Sequence, residues 1–547
     1  MSHQSKESKE FMKTKYETNE KSWHPQHSLL STIPSVKMIK LLALLIMFIL
    51  ISAALQAQSN INISGENNAI YTHRTEKNTF SNHFENEFKL RLDNRIFSFG
   101  MTFNAELPKF DKVTPDHMEK TEKINAKWVD RYAQLTFDNF WIKAGTIEEA
   151  FGSGIVLRAW NDKENDNDRR LEGAQTSFMI DKFRFSGVYG LLKEYQKNFV
   201  LHEKDLVIGG DIDYKPFPYL NVGVSAVEYK QERKDFWGNF DFYTHFNVYG
   251  GRLGLLYNFF DIKAEYAEIR RFHLIPDSSV GSAIYSIGNV YLGPVTLSGG
   301  YKRYSRFHYY ESEEYIVYEY ALADMPTLNH YDQLLSTWAP TDFEEGLMGE
   351  IRYIPNFDNE FLLNYSESWD KNDYVYFKNL YTEYKRNFKN FAVNVDFEYM
   401  NINVEIHYPE LDFSSESDDT EIKPSVSIDF YSFSIPFGLS MSWSYNEEYL
   451  KSYGEYTRYY NKPRVQIESR VHEKLSVAVF AENEFEKYTD IAKSKLYVGT
   501  EIVTSISSHT DVRLFVGKEQ GGKVCRNGTC LTQPPFEGVR LSLNTRF

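Results

Sequence analysis

The chain has 547 residues and a formal net charge of −15, with 42% hydrophobic residues and a mean hydropathy of −0.49. This polarity excludes a bundle of membrane-spanning helices, each of which needs about 20 consecutive apolar residues. The acidic balance disfavours nucleic acid as a partner, because phosphate binding requires basic patches. Aromatic residues nevertheless reach 16%, with 39 Tyr and 41 Phe, which is typical of transmembrane barrels with aromatic girdles at both lipid–water interfaces.

The N-terminal part of the chain predicts export. Residues 1–37 are polar and patternless, and we expect them to be disordered or to precede the true start at Met38. A basic stretch, the apolar run 41–51 and small residues up to Ala57 then follow in the order of a secretory signal. We therefore predict a signal peptide at 38–57, since the apolar run is too short for a membrane anchor.

From residue 58 to the C-terminus, the chain alternates between tight turns and longer polar connections. Segments of about ten residues between them carry a two-residue period, as in 435–446, where large apolar side chains alternate with small or polar ones. A β-sandwich is disfavoured because its strands usually have about five or six residues. The pattern predicts an all-β fold: a large transmembrane, antiparallel, up-and-down barrel of about 24 strands, with 22 or 26 as alternatives.

The connections predict how this barrel is oriented. An even number of strands leaves both termini on the periplasmic side, where the tight turns and a ring of aromatic residues would lie. The longer connections would then be extracellular. Because the first strand begins within a few residues of the cleavage site, we expect residues 58–547 to form the barrel without an N-terminal plug domain.

One connection, residues 147–171, differs from the others in composition. An apolar stretch with glycine hinges, 151–160, runs into the charged stretch 161–170. We predict that this loop folds into the lumen and narrows it, with opposite charges facing each other across the solute path. The alternative, an ordinary surface hairpin with a solvated charge run, stays open. The candidate constriction residues are Arg158, Arg169 and Arg170 on one side and Asp162, Asp166 and Asp168 on the other.

Catalytic and metal chemistry find little support in the sequence. The alternating acids from Asp162 to Asp168 are similar to a calcium loop, but they lack its turn glycine and its bidentate glutamate. The histidines are scattered, and no Gly-x-Ser-x-Gly elbow is present. We therefore expect no catalytic residue, no metal and no cofactor. The long acidic connection 306–346 is rich in tyrosine. Its aromatic side chains could stack on sugars or cover neighbouring loops, and we favour the second role.

The two cysteines predict a closed β-hairpin. Cys525 and Cys530 flank the Asn527-Gly528 turn signal, so a two-residue loop places them opposite each other at a non-hydrogen-bonded position. Their Cα atoms would then be about 4.5 Å apart, which suits a disulfide in an oxidising compartment. A free-thiol or metal-binding role is the alternative, and the lack of nearby histidines disfavours the metal.

The last nine residues form the clearest strand of the chain. Large or apolar residues lie on one face and polar residues on the other, because successive strand side chains point to opposite sides. The terminal Phe547 resembles the C-terminal signal by which bacterial outer-membrane barrels are recognised, which implies the barrel-assembly machinery as a partner. The first face carries Val539, Leu541, Leu543, Thr545 and Phe547, and the second carries Arg540, Ser542, Asn544 and Arg546.

Several of these motifs together resemble one family. They are the stretch 151–168 with Gly173, residues 521–525, Cys530, Pro534, residues 536–538 and terminal Phe547. In them the chain resembles an uncharacterised Bacteroidetes outer-membrane barrel family, a domain of unknown function, over essentially the whole mature length. This resemblance implies a barrel in the outer membrane of a Gram-negative bacterium and implies no substrate.

The predicted function is therefore that of a porin-like channel or solute-passage protein. A surface binding or structural barrel that displays its extracellular loops is the alternative, and an enzyme is the least favoured of the three. The expected partners are outer-membrane lipid and lipopolysaccharide, the assembly machinery, and a small solute.

Overall fold

The alternating segments close into a ring of 24 antiparallel strands, as the sequence predicts. Each strand pairs with its neighbour in chain order, and the last strand returns to pair with the first, from Glu66 opposite Arg546 to Arg74 opposite Gly538. Closure gives every strand two partners, so no row of backbone groups is left unpaired at an edge. Among the residues described, no helix is long and apolar enough to span a membrane.

The computed structural model describes most of the chain from residue 61 onward. The described part is 61–547 without 76–81, 108–124, 163–166, 193–194, 198–199, 203–204, 235–240, 273–279, 308, 312–316, 320–321, 324, 327, 329–342, 371–374, 409–412, 432–434, 452–454, 489–490 and 528. The expected extension 1–37 and signal peptide 38–57 lie outside it. The absence of a plug domain stays a prediction.

The barrel strands are numbered here in chain order. They are β1 Asn62–Arg74, β2 Asn82–Asp93, β3 Phe97–Leu107, β4 Asn125–Phe137, β5 Phe140–Ile147, β6 Leu171–Ile180, β7 Phe183–Leu192, β8 Leu206–Phe217, β9 Leu220–Lys234, β10 Asp241–Tyr257, β11 Phe260–Phe272, β12 Val280–Leu292, β13 Val295–Ser305, β14 Phe343–Asn356, β15 Asn359–Trp369, β16 Val375–Asn387, β17 Phe391–Tyr408, β18 Phe413–Phe430, β19 Phe437–Lys451, β20 Glu455–His472, β21 Leu475–Tyr488, β22 Ile491–Ser507, β23 Thr510–Glu519 and β24 Phe536–Arg546.

Ten shorter strands form five two-stranded hairpins in the connections at the end opposite the tight turns. They are Glu149–Phe151 with Leu157–Ala159, Asn161–Asp162 with Asn167–Asp168, Tyr195–Lys197 with Val200–His202, Tyr309–Glu311 with Val317–Glu319, and Gly522–Arg526 with Thr529–Gln533. None of these hairpins is part of the barrel sheet. The predicted alternation of tight and long connections holds in part, because at the end with the long connections only two to four residues join β17 to β18, β19 to β20 and β21 to β22.

The two faces of the barrel wall differ in polarity. On β24, Leu541 and Leu543 are exposed on the outer face, while Arg540 points inward and donates hydrogen bonds to Gln533 at 2.8 Å and to Glu519 at 2.6 Å. The predicted division of this strand is therefore confirmed. Large apolar side chains exposed on the outer face include Ile208, Val224, Leu253, Ile262, Leu297, Leu363, Val479 and Val498, and polar side chains buried on the inner face include Asp211, Ser225, Glu265, Lys302, Glu344, Asn364, Asn379 and Glu398.

Charged groups on the inner face are held by partners on neighbouring strands. The guanidinium of Arg252 on β10 donates to Asp211 at 2.7 Å and to Asp213 at 2.6 Å, both on β8. Lys302 on β13 pairs with Glu344 on β14. Such pairing offsets the cost of removing these charges from bulk water, and it leaves an inner wall that is polar over much of its surface.

Two hydrophobic cores lie inside the ring. The smaller consists of Phe480, Tyr497, Phe515 and Phe536 on β21 to β24. The larger joins wall residues of β6 to β13 to residues that do not belong to the wall, including Phe151, Ile155, Val156, Leu157, Leu322 and Met325. Apolar side chains from the connections therefore enter the lumen.

Candidate functional site in the barrel lumen

The connection between β5 and β6, of which residues 148–162 and 167–170 are described, folds inward as predicted, and we call it the lumenal loop. Ile155, Val156 and Leu157 are each 0% exposed, because they pack on the inner face of β8 to β11. An ordinary surface hairpin would leave this apolar stretch in water. Removing apolar surface from water is favourable by roughly 25 cal/mol per Å². The apolar sequence thus explains the inward path.

Glycines on the wall allow the lumenal loop to approach closely. A Cβ atom at Gly250 on β10 would lie 2.4 Å from a methyl carbon of Val156. A Cβ atom at Gly209 on β8 would lie 3.0 Å from the ring of Phe151. Side chains at these wall positions would occupy the space that the lumenal loop fills.

Polar contacts fix the lumenal loop in addition to its apolar packing. The backbone N–H of Ser153 donates to the carboxylate of Glu265 on β11 at 2.8 Å. Gly152, with φ 62°, lies next to the same carboxylate, where glycine is favoured both by its backbone conformation and by the lack of space. The loop is therefore attached to the wall at its tip as well as at its two ends.

The predicted constriction residues are placed unequally. Arg170 is 1% exposed and forms two hydrogen bonds with Asp168 at 2.7 Å and an ion pair with Asp130 at 2.6 Å. Arg170 and Asp168 thus pair with each other beside the wall instead of facing each other across the lumen, because a buried guanidinium needs a carboxylate partner. Burial opposes the charge of Arg170, but the hydrogen bonds and charges of Asp168 and Asp130 raise its pKa above the ordinary value.

The other predicted residues lie elsewhere on the lumenal loop. Arg158 is half-buried with its guanidinium 4.0 Å from the ring centre of Trp160. Arg169 is 5% exposed and donates to the carbonyl of Ala323 at 3.2 Å. The side chain of Asp162 and the whole of Asp166 lie outside the described residues.

A second piece of chain, of which residues 322–323, 325–326 and 328 are described, packs against the lumenal loop, and we call it the lumenal segment. Leu322 is 0% exposed, and its carbonyl accepts the N–H of Arg158 at 2.7 Å. The hydroxyl of Tyr304 on the inner wall donates to the carbonyl of Pro326 at 2.9 Å. The lumenal segment therefore fills space between the loop and the wall.

This segment comes from the connection 306–346, for which the sequence predicts a cover over neighbouring loops or a sugar-stacking surface. The tyrosine side chains that suggested these roles lie outside the described residues. The signal that could have identified the buried part is the group of apolar residues Leu322, Ala323, Met325, Pro326 and Leu328 inside an otherwise acidic connection.

The connection between β23 and β24 contributes a third inward piece, residues 522–533, which we call the lumenal hairpin. The sequence predicts the hairpin and its register, and the register is confirmed, with Arg526 opposite Thr529 and Cys525 opposite Cys530. Asn527 has φ 50°, the left-handed conformation that the Asn-Gly turn requires. The cysteines are thus aligned for a disulfide, and the disulfide itself stays a prediction.

The placement of the lumenal hairpin differs from the prediction, which assigned residues 520–535 to the extracellular surface. Arg526 is 4% exposed, and its guanidinium lies 5.1 Å from the ring centre of Phe480 and 4.8 Å from that of Phe515. It donates to Glu519 at 2.7 Å. A guanidinium held between aromatic faces and a carboxylate is strongly stabilised away from water, so this residue draws the hairpin onto the inner wall.

The tip of the lumenal hairpin reaches far down the wall. The backbone N–H of Asn527 donates to Glu468 at 2.9 Å, and its side-chain amide donates to Glu501 at 3.0 Å. Glu468 lies four residues from the end of β20 at the tight-turn side. The hairpin therefore extends from the end with the long connections into the half of the barrel near the tight turns.

Two cavities flank the tip of the lumenal hairpin. One of about 500 Å³ lies toward β22, β23, β24 and β1. The other, of about 740 Å³, lies toward β18 to β21. Arg526 and Asn527 line both, so the tip separates the two cavities. Within the described ranges, no group of three or more His, Cys, Asp or Glu is arranged to hold a metal ion.

Comparison with known proteins shows the family of this chain. The model of a family of unknown function (DUF6029) matches residues 36–340. Among curated proteins, no sequence relative matches the chain.

Solved structures of large barrels are similar at low identity. The FrpB iron transporter from Neisseria meningitidis (F3-3 variant) has 9% identity and a TM-score of 0.45, over 90% of this chain and 82% of that one. The siderophore receptor PirA from Pseudomonas aeruginosa has 8% identity and a TM-score of 0.47, over 90% and 81%. OccK3 (OpdO) from Pseudomonas aeruginosa has 13% identity and a TM-score of 0.35, over 90% and 97%. No solute is transferred from them to this chain.

Proposed function

This chain belongs to a family of unknown function (DUF6029), and we propose that it is an outer-membrane channel for small polar solutes, with a lumen narrowed by chain segments folded inward. The outer face supports the location, because a closed ring that exposes apolar side chains on every second position suits lipid. The proposed contacts are lipid and lipopolysaccharide around the wall and the barrel-assembly machinery during insertion. The channel has no catalytic step.

The observation that carries this proposal is the pair of cavities beside the lumenal hairpin. A ring of 24 strands encloses a lumen much wider than side chains alone can fill. The inward segments occupy part of it and leave cavities of about 500 and 740 Å³ whose linings combine charged and polar side chains with apolar ones. Solutes moving through would pass the tip residues Arg526 and Asn527.

Conductance of the refolded protein in planar lipid bilayers tests this function. We expect single-channel currents from the complete barrel and larger currents when residues 522–533 are replaced by a short Gly-Ser turn. The substitution Arg526→Ala should have a smaller effect in the same direction, because it removes the contacts that hold the hairpin on the wall. Arg270→Ala is the control, since Arg270 is exposed and pairs with Glu268 on its own strand.

Folded barrels that carry no current under any voltage or salt condition would refute the channel. The alternative of a surface binding or structural barrel would then remain. Currents that do not change when the lumenal hairpin is removed would retain the channel but refute the hairpin as its narrow part. Folding is checked separately by the change in gel migration on heating.

A further inference from the structure

We propose that the cavity between the lumenal hairpin and strands β22, β23, β24 and β1 is a binding site for a small hydroxylated anion, such as a sugar carboxylate or a sugar phosphate. This inference deepens the proposed function by giving the solute a chemical class. The cavity holds about 500 Å³, which is the size range of small-molecule sites.

The charges lining this cavity favour an anion. Four arginines and two carboxylates line it in a chain whose net charge is −15. Arginine suits carboxylates and phosphates because its planar guanidinium can donate two parallel hydrogen bonds to either group. The charged lining residues are Arg513, Arg526, Arg540, Arg546, Glu501 and Asp511.

The carboxylates of this region are shared or already engaged. Glu501 lies 3.6 Å from Arg526 and 4.0 Å from Arg513, so one carboxylate serves two guanidinium groups. Glu519, just outside the lining, accepts hydrogen bonds from both Arg526 and Arg540. Within the lining the arginines outnumber the carboxylates four to two, while Glu519 and Glu66, which lies 3.9 Å from Arg546, pair with these arginines from outside it.

The arginines become less exposed from the mouth of the cavity to its interior. Side-chain exposure falls from 65% for Arg546 to 27% for Arg513, 13% for Arg540 and 4% for Arg526. Arg546 is at the tight-turn end of β24, where the barrel opens. Water and salt screen charge less as exposure falls, so a guanidinium in the interior interacts with a nearby anion more strongly than an exposed guanidinium at the same distance.

Neutral polar groups beside the arginines suit hydroxyls. Within the described chain, Nη1 of Arg526 and the Oδ1 atoms of Asn527 and Asn544 are buried without a hydrogen-bond partner. Contact with a ligand would satisfy these atoms, with Nη1 as a donor to an oxyanion and the two Oδ1 atoms as acceptors from hydroxyl groups. Neutral lining residues with polar side chains are Asn68, Asn527, Gln533, Ser542 and Asn544.

Isothermal titration calorimetry on the complete barrel in detergent tests this site with glucuronate, glucose 6-phosphate, inorganic phosphate and glucose. We expect the two sugar anions to bind and glucose not to bind. The double substitution Arg513→Gln with Arg546→Gln should weaken binding about tenfold or more, which corresponds to about 1.4 kcal/mol. These two arginines are chosen because they are the more exposed ones, so their loss spares the hairpin anchor at Arg526.

Arg470→Gln is the matched control, since Arg470 lines the neighbouring cavity and not this one. It should leave the affinity unchanged. Binding of glucose as tight as that of glucuronate, or binding unaffected by the double substitution, would overturn the proposal. Inorganic phosphate binding as tightly as the sugar anions would overturn the role of the hydroxyls. Because this measurement needs no current, failure of the site and failure of the channel are distinguished.

Discussion

The ring of Phe547 lies over Gly65, at the seam where the last strand meets the first. The backbone N–H of Gly65 donates to the carbonyl of Phe547 at 2.8 Å, and the N–H of Phe547 donates back to the carbonyl of Gly65 at 3.0 Å. The ring centre of Phe547 is 6.2 Å from that of Phe88 on β2. The terminal residue therefore contacts β1, its partner across the seam, and also β2, the next strand of the ring.

Gly65→Val should weaken closure of the barrel. A Cβ atom at residue 65 would lie 2.3 Å from the Phe547 ring and 2.8 Å from the carbonyl oxygen of Lys89, so the ring must move away. We expect a smaller fraction of heat-modifiable barrel after refolding into lipid vesicles. Gly349→Val is the control, because nothing lies within 4 Å of its added Cβ. Equal yields from the two variants would show that the ring position does not affect closure.

Phe547→Ser should lower assembly in cells more than refolding in vitro. The sequence predicts the terminal ring as a signal for the assembly machinery, and pure lipid vesicles lack that machinery. Packing over Gly65 contributes in both settings. The measurement is the amount of folded barrel in the outer-membrane fraction compared with the yield in vesicles. An equal loss in both would assign the effect of Phe547 to seam packing alone.

Gly250→Val should detach the lumenal loop from the wall. The added side chain would occupy the place of Val156, since even a Cβ atom comes within 2.4 Å of it. We expect faster proteolysis within residues 148–170 and a higher channel conductance. Gly251→Val, at the next position on the same strand, has open space around its Cβ and should change neither. A wild-type cleavage rate for Gly250→Val would contradict the packing described above.

Much of this architecture is predictable from the sequence because a membrane barrel repeats one simple rule. A two-residue polarity period and the alternation of tight and long connections give the strand number, the closure and the faces of β24. The inward path of the lumenal loop is one of two alternatives that the sequence leaves open, and the apolar residues Ile155, Val156 and Leu157 are the feature that favours it. These inferences depend on the burial of apolar side chains, which follows from short, regular patterns of neighbouring residues.

The placements that the sequence did not give depend on pairing between distant residues. Arg170 contacts Asp130, and Asn527 contacts Glu468, and no periodicity links such positions. The lumenal hairpin therefore looked like a surface loop. In the structure Val524 and Arg526 are buried while Cys525 between them is exposed, which is the alternation of a strand with one face against a wall, but the residue types alone do not reveal it.

Cys525 and Cys530 should form a disulfide in the exported protein. They are register partners across the lumenal hairpin, and the chain-entropy model gives about 2 kcal/mol for so short a loop. Alkylation followed by mass spectrometry should label neither cysteine before reduction and both after it. The double substitution to serine should speed proteolysis of residues 522–533, and Arg526 should still anchor the hairpin. Labelling of both cysteines without reductant would refute the disulfide.

Arg170→Met should destabilise the barrel strongly, because it leaves Asp168 and Asp130 without the cation that both contact. The carboxylates left behind are 29% and 33% exposed, so the loss should lie below the about 3–5 kcal/mol typical of a fully buried pair. The free energy of unfolding can be measured by denaturant titration in lipid vesicles with tryptophan fluorescence. Arg170→Lys keeps the charge but not the two hydrogen bonds to Asp168, so it should restore part of the loss. Arg270→Met removes an exposed pair with Glu268 and should change stability little, as exposed ion pairs do. If Arg170→Met were no more harmful than Arg270→Met, the cluster around Arg170 would not hold the lumenal loop, and its charges would be free to act on solutes as the sequence first predicted.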